Sequence, residues 1–245
     1  MNAGTVKAAA AAPSGLLCDN PRFARRPRGL AGPTMIISHK YRYIFFAVPK
    51  TGTHSVRQAL RPYMDAQDQE QVGLFVQKRF DDPALGAIGH GHLGVRDVVP
   101  VLGDVFRDYF KFAFVRNPYD RFVSYCAFMT RQTGHFEFNP RAVMRHFIIE
   151  RPPLEHVLFR PQYEMLVDAQ DRLAMDFVGK SERAQADYAQ ICARLGFPAE
   201  TLGQVNSSRH RPYTEYYDDE LREHVGRFYR RDLELFGYSF DGPLD

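Results

Sequence analysis

The chain has 245 residues, 44% of them hydrophobic, which suits one globular domain with a buried core. Its net charge of +3 is too small to indicate nucleic-acid binding, although basic groups gathered in a cleft could still bind a small polyanion. Three cysteines, far apart and without a CxxC pair, argue against a disulfide framework or a zinc site and favour a reducing compartment. No apolar stretch reaches the ~20 residues that span a bilayer, so a cytoplasmic location is expected.

The first 34 residues differ in composition from the rest of the chain. A short alanine run at 8–12 precedes Pro13, and the basic sequence RRPR follows at 25–28. A secretory signal would place its charges ahead of the apolar segment, so this order argues against secretion. Residues 1–34 are predicted to be a flexible leader, or the product of a start codon upstream of Met35, before a single domain at 35–245. An organelle-targeting segment stays open, because no acidic residue precedes Asp19.

Three times the sequence changes from a short apolar run to a turn and then to a helical pattern. The first run is YIFFAV at 43–48, apolar on both faces as in a buried parallel strand. After the turn PKTGT at 49–53, apolar residues recur at helical spacing. These residues are Val56, Ala59, Leu60, Tyr63 and Met64.

The second and third units follow the same plan. The strand FAFV at 112–115 leads to a helix predicted from Pro118 to about Thr130, with Asn117 as its N-cap. The strand MDFV at 175–178 leads through the turn GKS at 179–181 to a helix that Gly196 ends. The residues expected to be buried are Phe122, Cys126 and Met129 in the second helix and Ala184, Tyr188, Ile191, Cys192 and Leu195 in the third.

Further helices are predicted at 140–150, 162–168 and 218–236. Alternating strands and helices indicate an α/β fold, a three-layer sandwich with a central, mainly parallel sheet. Ligands of such sheets bind at the carboxyl ends of the strands, where the three turns would meet.

The first turn, PKTGTHS at 49–55, has the composition of an anion-binding loop. Glycine and hydroxyl residues let backbone N–H groups point inward, and the following helix N-terminus adds a partial positive charge. Lys50 could reach an oxygen of the bound group. The sequence is not a nucleotide-kinase P-loop, because it lacks GxxxxGK[ST] and its lysine precedes the glycine. An ordinary turn with a solvated lysine is the alternative interpretation.

The second turn belongs to the sequence RNPYDRFVS at 116–124. Arg116 ends a strand and Ser124 lies about two helical turns later, so the two could bind a terminal phosphate together. The alternative is that Arg116 or Arg121 only pairs with Asp120 in a capping arrangement.

Together the two motifs resemble those of sulfotransferases that use 3'-phosphoadenosine-5'-phosphosulfate (PAPS). PKTGTHS is similar to their 5'-phosphosulfate-binding loop, and RNPYDRFVS to their 3'-phosphate-binding strand and helix. The sequence FVGKSE at 177–182 and the stretch from Asn206 to Tyr238 resemble further segments of one branch. That branch, sulfotransferase family 2, contains the heparan sulfate 2-O-sulfotransferase and other carbohydrate sulfotransferases. The similarity covers about residues 40–240.

The resemblance implies a P-loop-like sulfotransferase fold and transfer of a sulfuryl group from PAPS to an acceptor hydroxyl, in line and without a metal. It also implies that Lys50 stabilises the bridging oxygen of the departing phosphate and that Arg116 and Ser124 hold the 3'-phosphate. The residues implied to hold the 5'-phosphate are Thr51, Gly52, Thr53, His54 and Ser55.

A histidine pair at 90–92 provides the candidate base. Alternate residues of an extended chain point to the same side, so His90 and His92 would face one site. An HGH segment at this place supplies the base in the resembling enzymes, which implies His92 as the base and His90 as its helper. Histidine, with an ordinary pKa near ~6.5, suits base catalysis at neutral pH. His54 is a weaker candidate because many relatives carry a hydroxyl residue there.

The expected activity is therefore PAPS-dependent sulfuryl transfer to a hydroxyl-bearing acceptor, a sugar or glycan-like one by resemblance, with release of PAP. Two other classes stay open: a nucleotide kinase-like phosphoryl transferase and a non-catalytic PAP- or PAPS-binding module. The missing standard P-loop counts against the first, and Lys50 with the histidine pair against the second. RHR at 209–211, that is Arg209, His210 and Arg211, could contact PAPS or an acidic acceptor, or form a solvated turn. RPQY at 160–163 could line the acceptor cleft or begin a helix.

Overall fold

A computed structural model of the protein describes residues 35–71, 92–203 and 211–244. The predicted leader at 1–34 lies outside these residues, and so do His90, Arg209 and His210. Within the described ranges, no helix has both the length and the apolar character needed to cross a bilayer.

A five-stranded sheet in the order β3-β1-β2-β4-β5 forms the centre of the fold. The pairs β2–β4 and β4–β5 are parallel, whereas β1 is antiparallel to both β2 and β3. The sheet is therefore mixed rather than mainly parallel. The main strands are β1 Met35–Ser38, β2 Tyr43–Phe46, β3 Gln69–Gln71, β4 Phe110–Val115 and β5 Phe177–Lys180, and a small hairpin is formed by β6 Tyr238–Ser239 and β7 Gly242–Pro243.

Helices follow each strand of the parallel half and cover the rest of the fold. The helices are α1 Thr53–Leu60, α2 Val95–Leu102, α3 Asp104–Asp108, α4 Pro118–Thr130, α5 His135–Phe138, α6 Pro140–Arg145, α7 Ala184–Leu195, α8 Asp219–Phe228 and α9 Arg230–Phe236. A π-helical turn, His146–Glu150, continues α6, and single 3₁₀ turns lie at Arg61–Tyr63, Tyr163–Met165, Ser181–Arg183 and Tyr213–Tyr216.

Successive side chains of a strand point to opposite faces of the sheet, and both faces are buried by packed residues. On one face, Phe45 and Phe112 pack with residues of α1 and α7 such as Val56 and Tyr188. On the other, a second cluster includes strand, α2 and α9 residues. Its members include Ile37, Phe46, Ala113, Val98 and Phe236. The strands whose ends carry the three turns therefore belong to a sheet that is packed on both faces.

A helix follows each of the three strands, as predicted. The first is shorter than its apolar pattern indicated, since α1 ends at Leu60, Tyr63 lies in a 3₁₀ turn and Met64 is extended. The helix α4 spans the predicted residues, and the Asn117 side chain caps it by accepting a hydrogen bond from the Tyr119 amide at 3.0 Å. The helix α7 ends at Gly196, which has the left-handed φ of 78° that such a cap requires. The predicted helix at 140–150 is also present, its second half as the π-helical turn.

Three other predicted elements differ from the structure. The strand predicted at 175–178 is β5 at Phe177–Lys180, so residues 179 and 180 belong to a strand instead of a turn. The segment 162–168 makes only one 3₁₀ turn, because Asp168 and Leu166 pair with the chain at 172–174: the Asp168 amide donates to the Arg172 carbonyl and the Ala174 amide to the Leu166 carbonyl, each at 2.9 Å. The helix predicted at 218–236 is interrupted at Tyr229, which separates α8 from α9. Aromatic residues of this region do pack in the core, as predicted: Tyr216, Tyr217, Tyr229, Phe236 and Tyr238.

Candidate functional site

The PKTGTHS segment connects β2 to α1 through two residues in the left-handed conformation. These are Lys50, with φ 68°, and Gly52, with φ 74°. Such a φ is unfavourable for a lysine, so the surrounding structure must hold it there. Gly52 is the N-cap of α1, no described side chain caps this helix, and its first turn has no acidic residue. An uncapped helix N-terminus of this kind is suited to bind an anion.

Hydrogen bonds join this loop to the ends of the two neighbouring parallel strands. The Ser181 hydroxyl lies 2.8 Å from the Thr51 carbonyl and 2.9 Å from the Val115 carbonyl, so it bridges all three strand ends. The Thr51 hydroxyl donates to the Val48 carbonyl at 2.9 Å. The three turns therefore meet at one edge of the sheet, as its parallel pairing requires.

Arg116 lies at this edge, beside the first loop. Its Nη1 donates to the carbonyl of Lys50 at 3.4 Å, and its Nε donates to the Asp120 carboxylate at 2.7 Å. The pairing with Asp120 is the alternative that the sequence left open, and it is present. An arginine has five N–H donors in a planar fork, so these two contacts do not use its full capacity to bind an oxyanion.

Ser124 is buried in α4, on the stripe of this helix that faces the first loop. Residues three and four apart lie on one helical face, which places Ser124 between Arg121 and Phe128. The Arg121 Nε donates to the Pro49 carbonyl at 3.0 Å, and the Phe128 ring centroid lies 4.3 Å from Lys50 Nζ. Ser124 therefore lies on the side of α4 nearest Lys50, although no described hydrogen bond joins it to Arg116.

Gln162 belongs to the RPQY segment that the sequence allowed to line the acceptor cleft, but its contact with Arg116 was not predicted. It is fully buried, its side-chain oxygen accepts from the Arg116 amide at 3.0 Å, and its side-chain nitrogen donates to the Arg116 carbonyl at 2.9 Å. Its own amide donates to Asp232. Gln162 thus fixes the backbone of Arg116, and the 46-residue separation explains why no local pattern pointed to it.

Positive charge is concentrated around Lys50. Burial, and then the positive charges of Arg116, Arg131 and Arg121, lower the pKa of its ammonium to about 8. Among the residues that the structure describes, Asp120 is the only acidic residue that forms an ion pair with one of these four cations, and its partner is Arg116. The buried Asp232 carboxyl also interacts electrostatically with Arg121. Two acidic groups among four cations leave the cluster suited to bind an anion, which would in turn stabilise the charged lysine.

Two histidines border the same loop. His92 Nδ1 lies 3.3 Å from the Ala47 carbonyl, and because a carbonyl only accepts, Nδ1 carries the proton and the lone pair of the neutral ring is on Nε2. His54 Nδ1 accepts from Arg57 at 3.3 Å, which places the proton of a neutral His54 ring on Nε2. Burial, followed by the charges of Arg57 and Lys50, lowers the pKa of His54. His92 is therefore placed close to the loop that holds Lys50.

The residues present fit a small polyanion in their charge and backbone geometry. The left-handed loop, the uncapped helix and the cationic cluster at Lys50 all favour a small polyanion. In the described part of the chain, no group of three or more histidine, cysteine, aspartate or glutamate side chains is arranged to hold a metal ion.

Comparison with known proteins identifies the family. A sequence model described as the sulfotransferase family matches residues 33–239, which is most of the chain. Neither a curated protein nor a solved structure was found to match. Membership implies transfer of a sulfuryl group to a hydroxyl-bearing acceptor. The chain belongs to the sulfotransferase family.

Proposed function

We propose that this protein is a PAPS-dependent sulfotransferase with a histidine base. The observation that carries the proposal is the convergence of three predicted residues at one edge of the sheet. Arg116 donates to the carbonyl of Lys50 at 3.4 Å, and His92 donates to Ala47, three residues before Lys50, at 3.3 Å. PAPS would supply the activated sulfuryl group, and the chain would supply positioning and charge stabilisation.

Lys50 would stabilise the negative charge that develops on the bridging oxygen of the departing phosphate. Its ammonium is partly desolvated and, among the described residues, has no carboxylate partner, so it can donate to an oxyanion without first breaking an ion pair. A preorganised donor in a site of low polarity stabilises such charge more than water does.

The PKTGTHS loop would bind the 5'-phosphate of PAPS, and the RNPYDRFVS motif would bind the 3'-phosphate. Backbone amides of Gly52, Thr53 and His54, with the hydroxyls of Thr53 and Ser55, would hold the 5'-phosphate at the start of α1. Thr51, also predicted to bind it, uses its hydroxyl on the Val48 carbonyl, so its part would be to shape the loop. Arg116 and Ser124 would hold the 3'-phosphate. Support comes from the uncapped N-terminus of α1 and from the position of Ser124 on the face of α4 that borders the loop.

His92 would take the proton of the acceptor hydroxyl at Nε2. The contact from Nδ1 to the Ala47 carbonyl favours the tautomer in which Nε2 can act as a base. His90 would assist, as the resemblance implies.

We further propose a sugar or glycan-like acceptor, on the resemblance to the carbohydrate branch of sulfotransferase family 2. A three-layer, P-loop-like fold accords with the burial of both sheet faces. A cytoplasmic location accords with the two described cysteines, Cys126 and Cys192, which are buried and unpaired. No metal is required by this scheme.

The test is transfer of label from ³⁵S-PAPS to a panel of sugar, lipid-linked sugar, small alcohol and amine acceptors. We expect labelled product with a hydroxyl acceptor in the presence of EDTA. Lys50→Met should reduce the rate at least about 100-fold, while Lys40→Met, at an exposed lysine, should not. His92→Gln should reduce it about 100-fold.

Three outcomes would contradict the proposal. Full activity of Lys50→Met would remove the role assigned to that residue. Phosphoryl transfer from ATP with Mg²⁺ would favour a kinase-like enzyme. Tight binding of PAP without transfer to any acceptor and without hydrolysis of PAPS would favour a binding module.

A further inference from the structure

Phe128, in the last turn of α4, contacts two cations through one ring. Lys50 Nζ lies 4.3 Å from the ring centroid, and the guanidinium carbon of Arg131 lies 3.9 Å from it. Arg131 is also tied to the same residue, since its Nη1 donates to the Phe128 carbonyl at 2.7 Å. The ring of Phe128 is therefore shared by the loop lysine and by the arginine that follows α4.

Neither cation is neutralised by an acidic side chain of the described residues. Both Lys50 and Arg131 are only partly exposed, and the described contact of the Lys50 ammonium is the aromatic face. An aromatic ring stabilises a cation through its quadrupole, more strongly when the cation is desolvated. It does so without adding a negative charge that would repel a phosphate.

We propose that Phe128 and Arg131 are positioning residues for Lys50: the ring of Phe128 holds the ammonium beside the loop, and the guanidinium of Arg131, which contacts the same ring, repels it. The catalytic consequence rests on the proposed function. An ammonium held by a ring can turn to a phosphate oxygen without losing an ion pair, whereas one held by a carboxylate could not.

The charged groups that face Lys50 come from three elements. Arg116 follows β4, Arg121 lies in α4 and Arg131 follows α4, and each lowers the pKa of Lys50 after the larger effect of burial. His54, in α1, also lies near Lys50, since the charge of Lys50 lowers the pKa of His54. Loss of the ring removes a contact that favours the ammonium, and loss of Arg131 removes a repulsion. The two changes therefore act on Lys50 in opposite directions.

The decisive measurement is the pKa of Lys50 in the free protein, from the pH dependence of its labelling by an amine-reactive reagent read by mass spectrometry. The wild-type pKa should be about 8. Phe128→Leu should lower it by about 0.5 to 1, and Arg131→Gln should raise it by about 0.5 or more. Phe128→Tyr keeps an aromatic face and should restore the wild-type value.

Matched controls separate these effects from general damage. Phe138→Leu changes a phenylalanine that is 90% exposed, and Arg151→Gln changes an exposed arginine that does not act on Lys50. Both should leave the pKa of Lys50 unchanged. With PAPS and an acceptor, the alkaline limb of kcat/KM should move down in pH for Phe128→Leu and up for Arg131→Gln.

The proposal is overturned if the two variants leave the pKa of Lys50 unchanged or move it in the same direction. A failure of the proposed function gives a different result. The opposite pKa changes would then persist in the free protein, while no transfer from PAPS would be found.

Discussion

The guanidinium of Arg121 donates a hydrogen bond from Nε to the main-chain carbonyl of Pro49, 3.0 Å away, directly before Lys50. Its Nη2 donates to the carbonyl of Leu158, also at 3.0 Å, and the residue is only 2% exposed. The sequence motif allowed Arg121 to pair with Asp120, but Asp120 pairs with Arg116 instead. Arg121 therefore supports the loop from within the fold and is not placed to bind a ligand from solvent.

Replacement of Arg121 by Met should destabilise the protein by about 2–4 kcal/mol, because the buried Pro49 carbonyl and the partly buried Leu158 carbonyl lose their donor. The measurement is the free energy of unfolding from urea titration. Arg227→Met is the control, since Arg227 is exposed and pairs with Glu223 on the surface of α8. It should change stability by no more than about 0.5 kcal/mol. Equal losses for the two variants would show that the buried contacts of Arg121 carry no special weight.

Ser181 links the loop to the end of β4, so its hydroxyl should matter for binding as well as for stability. Ser181→Ala should cost about 1 kcal/mol of unfolding free energy and weaken PAP binding about 3- to 10-fold. Ser239→Ala removes a comparable hydroxyl from the β6–β7 hairpin and should leave PAP binding unchanged. If calorimetry gives both variants the wild-type affinity for PAP, Ser181 does not organise the site.

Much of the parallel half of the fold could be predicted from sequence, because its strands are apolar on both faces and its helices carry local caps such as Asn117 and Gly196. The antiparallel strands β1 and β3 could not. The strand β3 is QEQ, which has no apolar pattern, and it is defined by its pairing with β1.

Some residues of the candidate site could also be predicted from local sequence, and others could not. Lys50, Arg116 and His92 follow local motifs and lie at one edge of the sheet as expected. Gln162, Ser181 and Phe128 could not be assigned, since their contacts join residues distant in sequence. The missing helix at 162–168 has a related cause, since residues 166–168 pair with residues 172–174 and helical spacing alone does not reveal that pairing.

Gly179 in β5 has a steric reason to be glycine. A Cβ at this position would lie 2.5 Å from a ring carbon of Phe114, which is buried in β4. Gly179→Ala should therefore destabilise the protein by about 1–3 kcal/mol through overpacking.

Gly226→Ala in α8 is the comparison for Gly179→Ala. Its Cβ would lie 2.5 Å from the hydroxyl oxygen of Tyr119 and 3.5 Å from the ring carbon that carries it, so the contact is with the end of a side chain, and alanine favours a helix by about 1 kcal/mol. Thermal unfolding of both variants should show the larger loss for Gly179→Ala. The reverse order would contradict the packing described for β4 and β5.

The pH dependence of the reaction should report Lys50. Its pKa is lowered to about 8, and the proposed role needs the charged form, so kcat/KM for PAPS should fall as the pH rises through about 8. Lys50→Arg should be slower but should lack this alkaline limb, because an arginine stays charged. A flat wild-type profile between about pH 7 and pH 10 would contradict the requirement for a charged Lys50.

The most direct test of the central claim is a calorimetric titration with PAP, ADP and ATP, with and without Mg²⁺. The account predicts that PAP binds tightly without metal and that ADP, which lacks the 3'-phosphate, binds at least about 100-fold more weakly. Arg116→Leu should remove most of this difference in affinity. Arg172→Leu, which changes an exposed arginine, should leave it unchanged. Preference for ATP with Mg²⁺ over PAP would contradict the account and would reassign the site to phosphoryl transfer.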